Sequence, residues 1–405
     1  MASSLFNFCK KQKQIHFDKN FITYISRPEK IIKVFLPLKR ESGKLQIFTG
    51  YRIQHNSLLG PYKGGLRYHL KVNEEKFKKL SILMTLKCAL FNLPFGGAKG
   101  GIKVSSKELS EKELEKLTRI YTRKIASDIG PEKDVPAPDV GTNPLVMSWI
   151  YDEYSKIVKE KTPAVVTGKP ENIGGLKIRE TSTSLGGAYI LEKVIEKLQL
   201  SKKNLTIAIQ GFGNVGANLA MILQNKGFLI KCASDSSCGV CHENGLDTRK
   251  LNEAKINTKT VCDGCPICQS SESSDILEMP CDILVPAALE KQITAKNAHK
   301  IKTKIILEMA NHAITEEAEK ILIKKGIVVI PDVLANGGGV IGSYFEWLDN
   351  LNKYVKNKEQ KLKNIMGKTF DEVWAKKTKY NLDFRSACFC VALKRLEKKY
   401  KTIFS

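Results

Sequence analysis

The sequence predicts an α/β chain of two domains, the second built on a doubly wound parallel sheet, with helices at its C-terminal end. Three observations predict it. The first half opens on alternating strands about a tight turn. From residue 204 onward, apolar strands alternate with helical stretches, and a Gly-x-Gly-x-x-Gly run joins one of those strands to the next helix.

In order, "IIKVFLPLKRESGKLQIFTGYRIQH" from residue 31 alternates apolar and polar residues around Ser-Gly and reads as antiparallel strands. "NEEKFKKLSILMTLKCALFNL" (73–93) spaces Phe77, Leu80, Leu83, Met84 and Leu90 as a helix does, behind an acidic first turn. The glycine run of "NLPFGGAKGGI" (92–102) reads as a turn leading to a short strand near Ile102. "SEKELEKLTRIYTRKIASDIG" (110–130) opens with a Ser110-to-Glu113 capping box and ends at Gly130. "PEKDVPAPDVGTN" (131–143) reads as a rigid proline-rich loop.

The rhythm then changes. "TSTSLGGAYILEKVIEKLQL" reads as a helix and "NLTIAIQ" (204–210) as a buried strand. "ANLAMILQNKG" is the next helix and "FLIKCASD" the next strand. Later strands are expected at 282–286, 304–310 and 327–331, and the tail from Tyr344 is helical and basic. Strand–helix alternation of this kind implies a parallel sheet wound on both faces.

Composition narrows the function classes. The chain has 405 residues, 42% hydrophobic and 27% charged, enough for two cores. No apolar run reaches the ~20 residues of a membrane span, so no membrane partner is expected. The opening segment is basic but has no long apolar region and no arginine, which argues against a secretory signal. The net charge of +24 is almost all dispersed lysine, so a solubilising surface is the reading and no specific nucleic acid is expected. Eleven cysteines without a signal read as reduced thiols. The spacing Cys238-x2-Cys241 and Cys262-x2-Cys265, with Cys268 beyond, leaves a zinc staple as the alternative.

Gly211, Gly213 and Gly216 lie between strand and helix, with the acid Asp235 about 20 residues on at the end of the next strand. The glycines allow a tight turn and let a pyrophosphate approach a helix N-terminus. Asp235 would accept from the ribose hydroxyls and repel a 2′-phosphate, which favours NAD over NADP. Ser236 and Ser237 could also serve a phosphate.

Three lysines stand in unusual surroundings: Lys63 in "GPYKGGLR", Lys87 within the apolar face of a helix, and Lys99 among four glycines. Asp139 of "PAPD" adds a carboxylate on a rigid loop. Lysines facing a carboxylate suit a small dianion with amine or carbonyl chemistry, because a crowded, desolvated lysine loses its proton near neutrality.

These segments carry a family likeness. "IFTGYRIQHN…GPYKGGLRYH", "PFGGAKGGI", "DVPAPDVGTN", "VVTGKP", "IQGFGNVG", "CDILVPAALE" and "PDVLANGGGVIGSYFEW" together resemble the glutamate dehydrogenase family, hexameric small-subunit type, over roughly residues 25 to 400. The resemblance implies an N-terminal substrate-binding and oligomerisation domain with a mixed sheet (1–182) and a Rossmann-type NAD(P)-binding domain (183–342). C-terminal helices (343–405) would pack back across the cleft. It also implies reversible oxidative deamination of L-glutamate to 2-oxoglutarate and ammonium in a cytoplasmic, or mitochondrial-matrix, homo-hexamer. Lys63 and Ser343 would hold the γ-carboxylate and Lys87 the α-carboxylate. Lys99 would be the general base on water, and Asp139 the proton shuttle at the amine. Thr183, Asn214, Val215, Ala288, Asn311 and Asn336 match positions that contact the dinucleotide. No metal ligand set is implied. Related amino-acid dehydrogenases carry an apolar residue where Lys63 stands, so Lys63 argues for a glutamate side chain.

The chain departs from the family pattern at "GGLKIR" (174–179), "STS" (182–184) and "EMANHA" (308–313). There Leu176 and Ile178 replace small residues, and Met309 and His312 replace glycines.

Overall fold

A computed structural model describes residues 15–404, so the basic opening segment read above lies outside the described residues. The chain divides into two compact units. The first extends to Arg179 and takes in Val340–Lys358 and the segment from Phe389 onward. The second comprises Glu180–Gly339 and Glu359–Cys388.

In the first unit, α1 (Lys19–Ile25) is capped by Asp18, whose carboxylate accepts from the Asn20 and Phe21 N–H groups. β1 (Lys30–Lys39) and β2 (Leu45–Asn56) form the expected antiparallel hairpin, in register from Lys30 opposite Gln54 to Lys39 opposite Leu45. β3 (Tyr62–Tyr68), α2 (Glu74–Leu90) and β4 (Gly97–Ile102) follow. α3 (Glu111–Ile125) starts with the expected reciprocal capping box between Ser110 and Glu113. β5 (Asp134–Pro138) and α4 (Pro144–Val158) complete the layer. The sheet order is β1-β2-β4-β3-β5, antiparallel at its first two junctions and parallel at its last two. It is the mixed sheet that the resemblance implied. Leu36, Leu66, Tyr68 and Ile102 of its strands pack against Leu117, Tyr121 and Ile150 of α3 and α4.

Two readings are corrected here. The glycine run is not a turn but β4, every residue of it buried in the sheet. Its neighbours press so close that side chains do not fit. A Cβ on Gly97 would lie 2.2 Å from the Thr85 backbone, and one on Gly101, at φ +143°, would lie 1.8 Å from the Arg67 carbonyl. The entropy penalty of glycine is thus accepted in exchange for close backbone approach. The "DVPAP" stretch is likewise not a loop but the edge strand β5, where the missing N–H of proline does not interrupt a two-sided ladder.

Beneath this sheet Arg52 and Asp134 form a wholly buried pair. Arg52 Nε donates to Asp134 Oδ2 at 2.8 Å, a second nitrogen reaches Oδ1, and Gln54 donates to Oδ2 at 2.9 Å. Removing one partner strands a charge in low dielectric. Asp134→Ala is therefore expected to lower the unfolding free energy by about 3–5 kcal/mol. Urea denaturation checks it, and a loss under ~1 kcal/mol would contradict the pairing.

In the second unit, α5 (Ile178–Lys197) leads to β6 (Thr206–Gln210), α6 (Asn214–Asn225) and β7 (Leu229–Ser234). β8 (Gly239–Cys241), α7 (Thr248–Asn257) and β9 (Gln269–Ser271) follow. Then come β10 (Ile283–Pro286), β11 (Ile305–Leu307), α8 (Glu316–Lys324), β12 (Val328–Ile330) and the short α9 (Asp332–Ala335). Strands β12-β11-β10-β6-β7 are parallel, as the alternation predicts; α6 joins β6 to β7 and α8 joins β11 to β12. Two antiparallel strands, β8 and β9, extend the sheet beyond β7.

The chain then runs through α10 (Gly338–Asn350), α11 (Lys358–Tyr380) and α12 (Phe384–Phe404). The stretch from 343 does not return to the first unit as one block. Phe370, Trp374 and Phe384 form a ring cluster within the second unit. In the first unit, Tyr400 meets Phe21 and Tyr24, and Arg395 donates to the Ala89 carbonyl at 2.9 Å.

The reduced-thiol expectation is also corrected. Three disulfides pair Cys232 with Cys241, Cys238 with Cys262 and Cys265 with Cys268. The register of β7 on β8 sets Cys232 directly opposite Cys241, which brings the first pair together. Among the described residues, Cys88, Cys281 and Cys388 are free thiols, and no cluster of three or more His, Cys, Asp or Glu converges on a metal position.

Candidate active site

The first unit gathers cations on one face of its sheet. Side chains alternate along a strand, so Lys63, Gly65 and Arg67 of β3 share a face. A Cβ on Gly65 would lie 2.8 Å from the Asp139 Cβ and 3.2 Å from Lys99 Nζ. The bare glycine therefore makes room for the pair that its neighbours enclose. Lys99, on the adjacent strand β4, sets its Nζ 2.9 Å from Asp139 Oδ1, and Arg67 Nε lies 2.5 Å from Oδ2. Thr142 holds the turn after β5: its hydroxyl accepts from the Asp139 N–H at 2.8 Å and bonds the Leu66 carbonyl at 2.8 Å.

Electrostatics follow from burial. Desolvation pulls the Lys99 ammonium below its usual range; Asp139 opposes this, while Arg67 and Arg52 add to it. For Asp139, burial alone would raise the carboxyl, but Lys99 and Arg67 hold it well below the usual carboxylate range. The site therefore keeps a charged carboxylate beside an amine whose proton is loosened.

Lys63 is 1% exposed. Its ammonium makes one hydrogen bond among the described residues, to the Val135 carbonyl at 3.1 Å, and no ion pair. Burial, with Arg179 and Arg52 nearby, lowers its pKa to about 7, against the opposing charge of Glu346. Glu346 is engaged elsewhere: it accepts from Lys169 Nζ at 2.8 Å and from the Gly168 N–H, with Arg179 at 3.9 Å. Arg179 Nε also donates to the hydroxyl of Ser343, on α10, at 3.1 Å. Lys87, partly buried in the last turn of α2, shares a neighbour with Lys63. Burial pushes the Cys88 thiol up to about 12, and the charges of Lys63 and Lys87 oppose it. Lys63 is thus linked electrostatically to Arg179, which holds Ser343, and shares the neighbour Cys88 with Lys87, while Lys99, Arg67 and Asp139 form a bonded cluster of their own.

Sequence reasoning missed Arg67, Arg179, Lys169 and Glu346. A signal was present, because arginine is scarce and Arg179 closes the "GGLKIR" stretch read only as a departure.

In the second unit, Gly211 turns at φ +99° with its α-carbon against Ala288: a Cβ would stand 2.6 Å from the Ala288 N–H nitrogen. At Gly216 a Cβ would strike the Gly211 carbonyl at 1.9 Å, so only glycine lets α6 pack on β6. Gly213 faces open space, with nothing within 4 Å of a Cβ, and no side chain caps α6. Its first amide N–H groups, at Asn214, Val215 and Gly216, are therefore available to an anion. A dinucleotide pyrophosphate fits this turn. Ser184 bonds the Val215 carbonyl at 2.8 Å, and Thr183 lies against Gly339 at the start of α10. Asn336 Nδ2 donates to Asn311 Oδ1 at 3.0 Å, joining the two predicted asparagines near the C-terminal ends of β11 and β12. Arg385, unseen in the sequence reading, anchors that end by pairing with Glu308, Glu319 and Asp332 at 2.7, 2.7 and 2.8 Å. His312, where the resemblance implies a glycine, adopts a left-handed backbone at φ +54°.

Asp235 stands differently from the expectation of an acid open to ribose. It is 5% exposed, and its carboxylate already accepts four donors. These are the N–H groups of Ser237 (2.7 Å), Cys238 (3.2 Å) and Val261 (2.9 Å), and Lys255 Nζ (2.7 Å). Four donors saturate a carboxylate, so a ribose hydroxyl must displace one of them.

Comparison with known proteins bears on both units. Residues 174–402 match the family model described as glutamate/leucine/phenylalanine/valine dehydrogenase, and residues 28–156 match the dimerisation domain of the same family. The catabolic NAD-specific glutamate dehydrogenase of Bacillus subtilis is 40% identical over 386 residues, covering 95% of this chain and 91% of that protein. The NADP-specific glutamate dehydrogenase of a Synechocystis species is 40% identical over 415 residues, covering 98% and 97%. Among solved structures, the hetero-hexameric glutamate dehydrogenase of Thermus thermophilus matches at TM-score 0.92 and 32% identity, covering 99% of this chain and 96% of that one. The Peptoniphilus asaccharolyticus enzyme matches at TM-score 0.87 and 33% identity, covering 99% and 98%.

Proposed function

The chain belongs to the glutamate/leucine/phenylalanine/valine dehydrogenase family, and from that premise we infer how its own residues carry out the reaction. The reaction is the reversible oxidative deamination of L-glutamate to 2-oxoglutarate and ammonium, with NAD or NADP. The observation that carries the residue assignment is Lys63: a buried ammonium with only a carbonyl for a partner demands an anion.

Lys63 and the Ser343 hydroxyl, oriented by Arg179, bind the γ-carboxylate; Lys87 binds the α-carboxylate. When bound, the nicotinamide supplies a hydride acceptor for the substrate Cα. Lys99, its proton loosened by burial, removes a proton from the water that adds to the iminium carbon. Asp139, ionised between Lys99 and Arg67, passes protons to and from the departing nitrogen. The turn at Gly211, Gly213 and Gly216, with Asn214 and Val215, takes the pyrophosphate; Thr183, Ala288, Asn311 and Asn336 line the rest of the dinucleotide site, and Asp235 the ribose end.

The protein works as a homo-hexamer in the cytoplasm. The dimerisation-domain match supports assembly, as does the outer face of β1 and β2, where Phe35, Leu45 and Ile47 are about two-thirds exposed. No helix among the described residues is long and apolar enough to cross a membrane. Light scattering checks the assembly, with six copies of a 45.3 kDa chain expected. The functional test is oxidation of NADH or NADPH in the presence of 2-oxoglutarate and ammonium. Turnover is expected, and its absence with both coenzymes would contradict the assignment.

A further inference from the structure

Six cysteines fall within residues 232–268, outside the machinery assigned above, and all six are paired. Their placement is informative. The cradle of Asp235 comes from two separate segments. Ser237 and Cys238 donate from the turn between β7 and β8, whereas Lys255 and Val261 donate from α7 and the stretch after it. Cys238 is itself one of these donors, and Cys262 directly follows another. The Cys238–Cys262 bond therefore ties the two segments together on either side of the carboxylate.

Cys238 and Cys262 are both partly exposed, so a small thiol can reach their bond. Cys262 begins a 3-10 turn, and Cys265–Cys268 closes the next one in the sequence Cys-Pro-Ile-Cys, with Ile267 83% exposed. Cys238 of the first Cys-x2-Cys step pairs with Cys262 of the second, while Cys241 and Cys265 pair outside these steps, with Cys232 and Cys268; no cluster of metal-ligating side chains forms among the described residues. That favours redox chemistry over zinc.

We propose that Cys238 and Cys262 form a thiol–disulfide exchange site for small thiols and disulfides of the glutathione class, acting as a latch on the loop that carries Asp235. The proposal rests on the reading of Gly211 to Asp235 as the dinucleotide site. Opening needs two electrons. A glutathione thiolate attacks one sulfur of the bond, giving a mixed disulfide and one protein thiolate. A second glutathione thiolate displaces the protein sulfur, glutathione disulfide leaves, and the two protein thiolates take up two protons. Closing is the reverse, with glutathione disulfide as oxidant. With the latch closed, the three backbone N–H donors from both segments hold Asp235 in place, and a ribose hydroxyl need displace only the Lys255 side chain. With it open, coenzyme binding must also order them, which weakens affinity.

The test uses the full-length enzyme equilibrated in glutathione buffers of graded oxidation. Differential alkylation and mass spectrometry report the state of each cysteine, and nicotinamide fluorescence reports NADH affinity. The Cys238–Cys262 bond is expected to open across the series while the NADH dissociation constant rises ~5-fold. Cys262→Ser is expected to hold the weaker value in every buffer; Cys238→Ser serves the same end if the first variant folds poorly. An unchanged dissociation constant while the bond opens would overturn the latch. So would a Cys262→Ser enzyme that binds as tightly as oxidised wild type, or stoichiometric zinc on these thiols. Absence of NADH binding in every state would instead overturn the dinucleotide reading, and the latch with it.

Discussion

Lys99→Ala is expected to lower kcat by about 1,000-fold or more, the loss of a positioned general base, while 2-oxoglutarate still binds. The geometry supports both halves. Among the described residues, Lys99 pairs with Asp139 at 2.9 Å and makes no hydrogen bond to Lys63, Arg179 or Ser343, the group proposed for the distal carboxylate. Lys99→Arg separates charge from proton transfer. It preserves the cation beside Asp139 but cannot release its proton near neutrality, so it should be as slow as alanine. Because burial lowers the Lys99 pKa, wild-type rate should fall on the acid side as the ammonium forms. That limb should vanish in both variants. Stopped-flow rates across pH measure it, and an arginine variant with near-normal turnover would exclude Lys99 as the base.

Lys63→Met is expected to act on function and stability in opposite directions. Leaving the γ-carboxylate without its buried partner should reduce kcat/KM for glutamate by roughly 100–1,000-fold. The ligand-free protein should not be weakened, because an apolar chain of similar length replaces a buried ammonium that has no carboxylate partner. The sign in pH is specific. Folded Lys63 titrates near 7, against about 10.5 when unfolded, so between these values the unfolded chain holds the extra proton. Wild-type stability should therefore rise with pH across that window, and the Lys63→Met protein should show a smaller rise. Chemical denaturation at graded pH checks this; parallel curves for the two proteins would contradict a depressed Lys63.

Much of the site was legible before the fold was seen. A lysine among glycines, a lysine breaking an apolar helix face, and an acid in a proline-rich stretch each break a local rule, and functional sites are where such breaks concentrate. The glycine turn after β6 was equally legible, because its strand, turn and helix are consecutive in the chain. The arginines were not. Their scarcity marks Arg67 and Arg179 in sequence but not their partners, and only the fold sets one 2.5 Å from Asp139 and the other against Ser343, 164 residues away.

By itself, the sequence determined the capping of α3, the β1–β2 hairpin, the strand–helix alternation of the second unit and the residue types of the site. All of these depend on neighbours within a turn or two, where periodicity and local hydrogen bonding decide. The tertiary structure alone decided that the glycine run is a central strand, that Asp235 is enclosed by donors from two segments, and that Cys238 pairs with Cys262. Each of these depends on which distant segments come within bonding distance. Strand pairing, burial and desolvation decide that, and none of them is a property of a residue and its immediate neighbours.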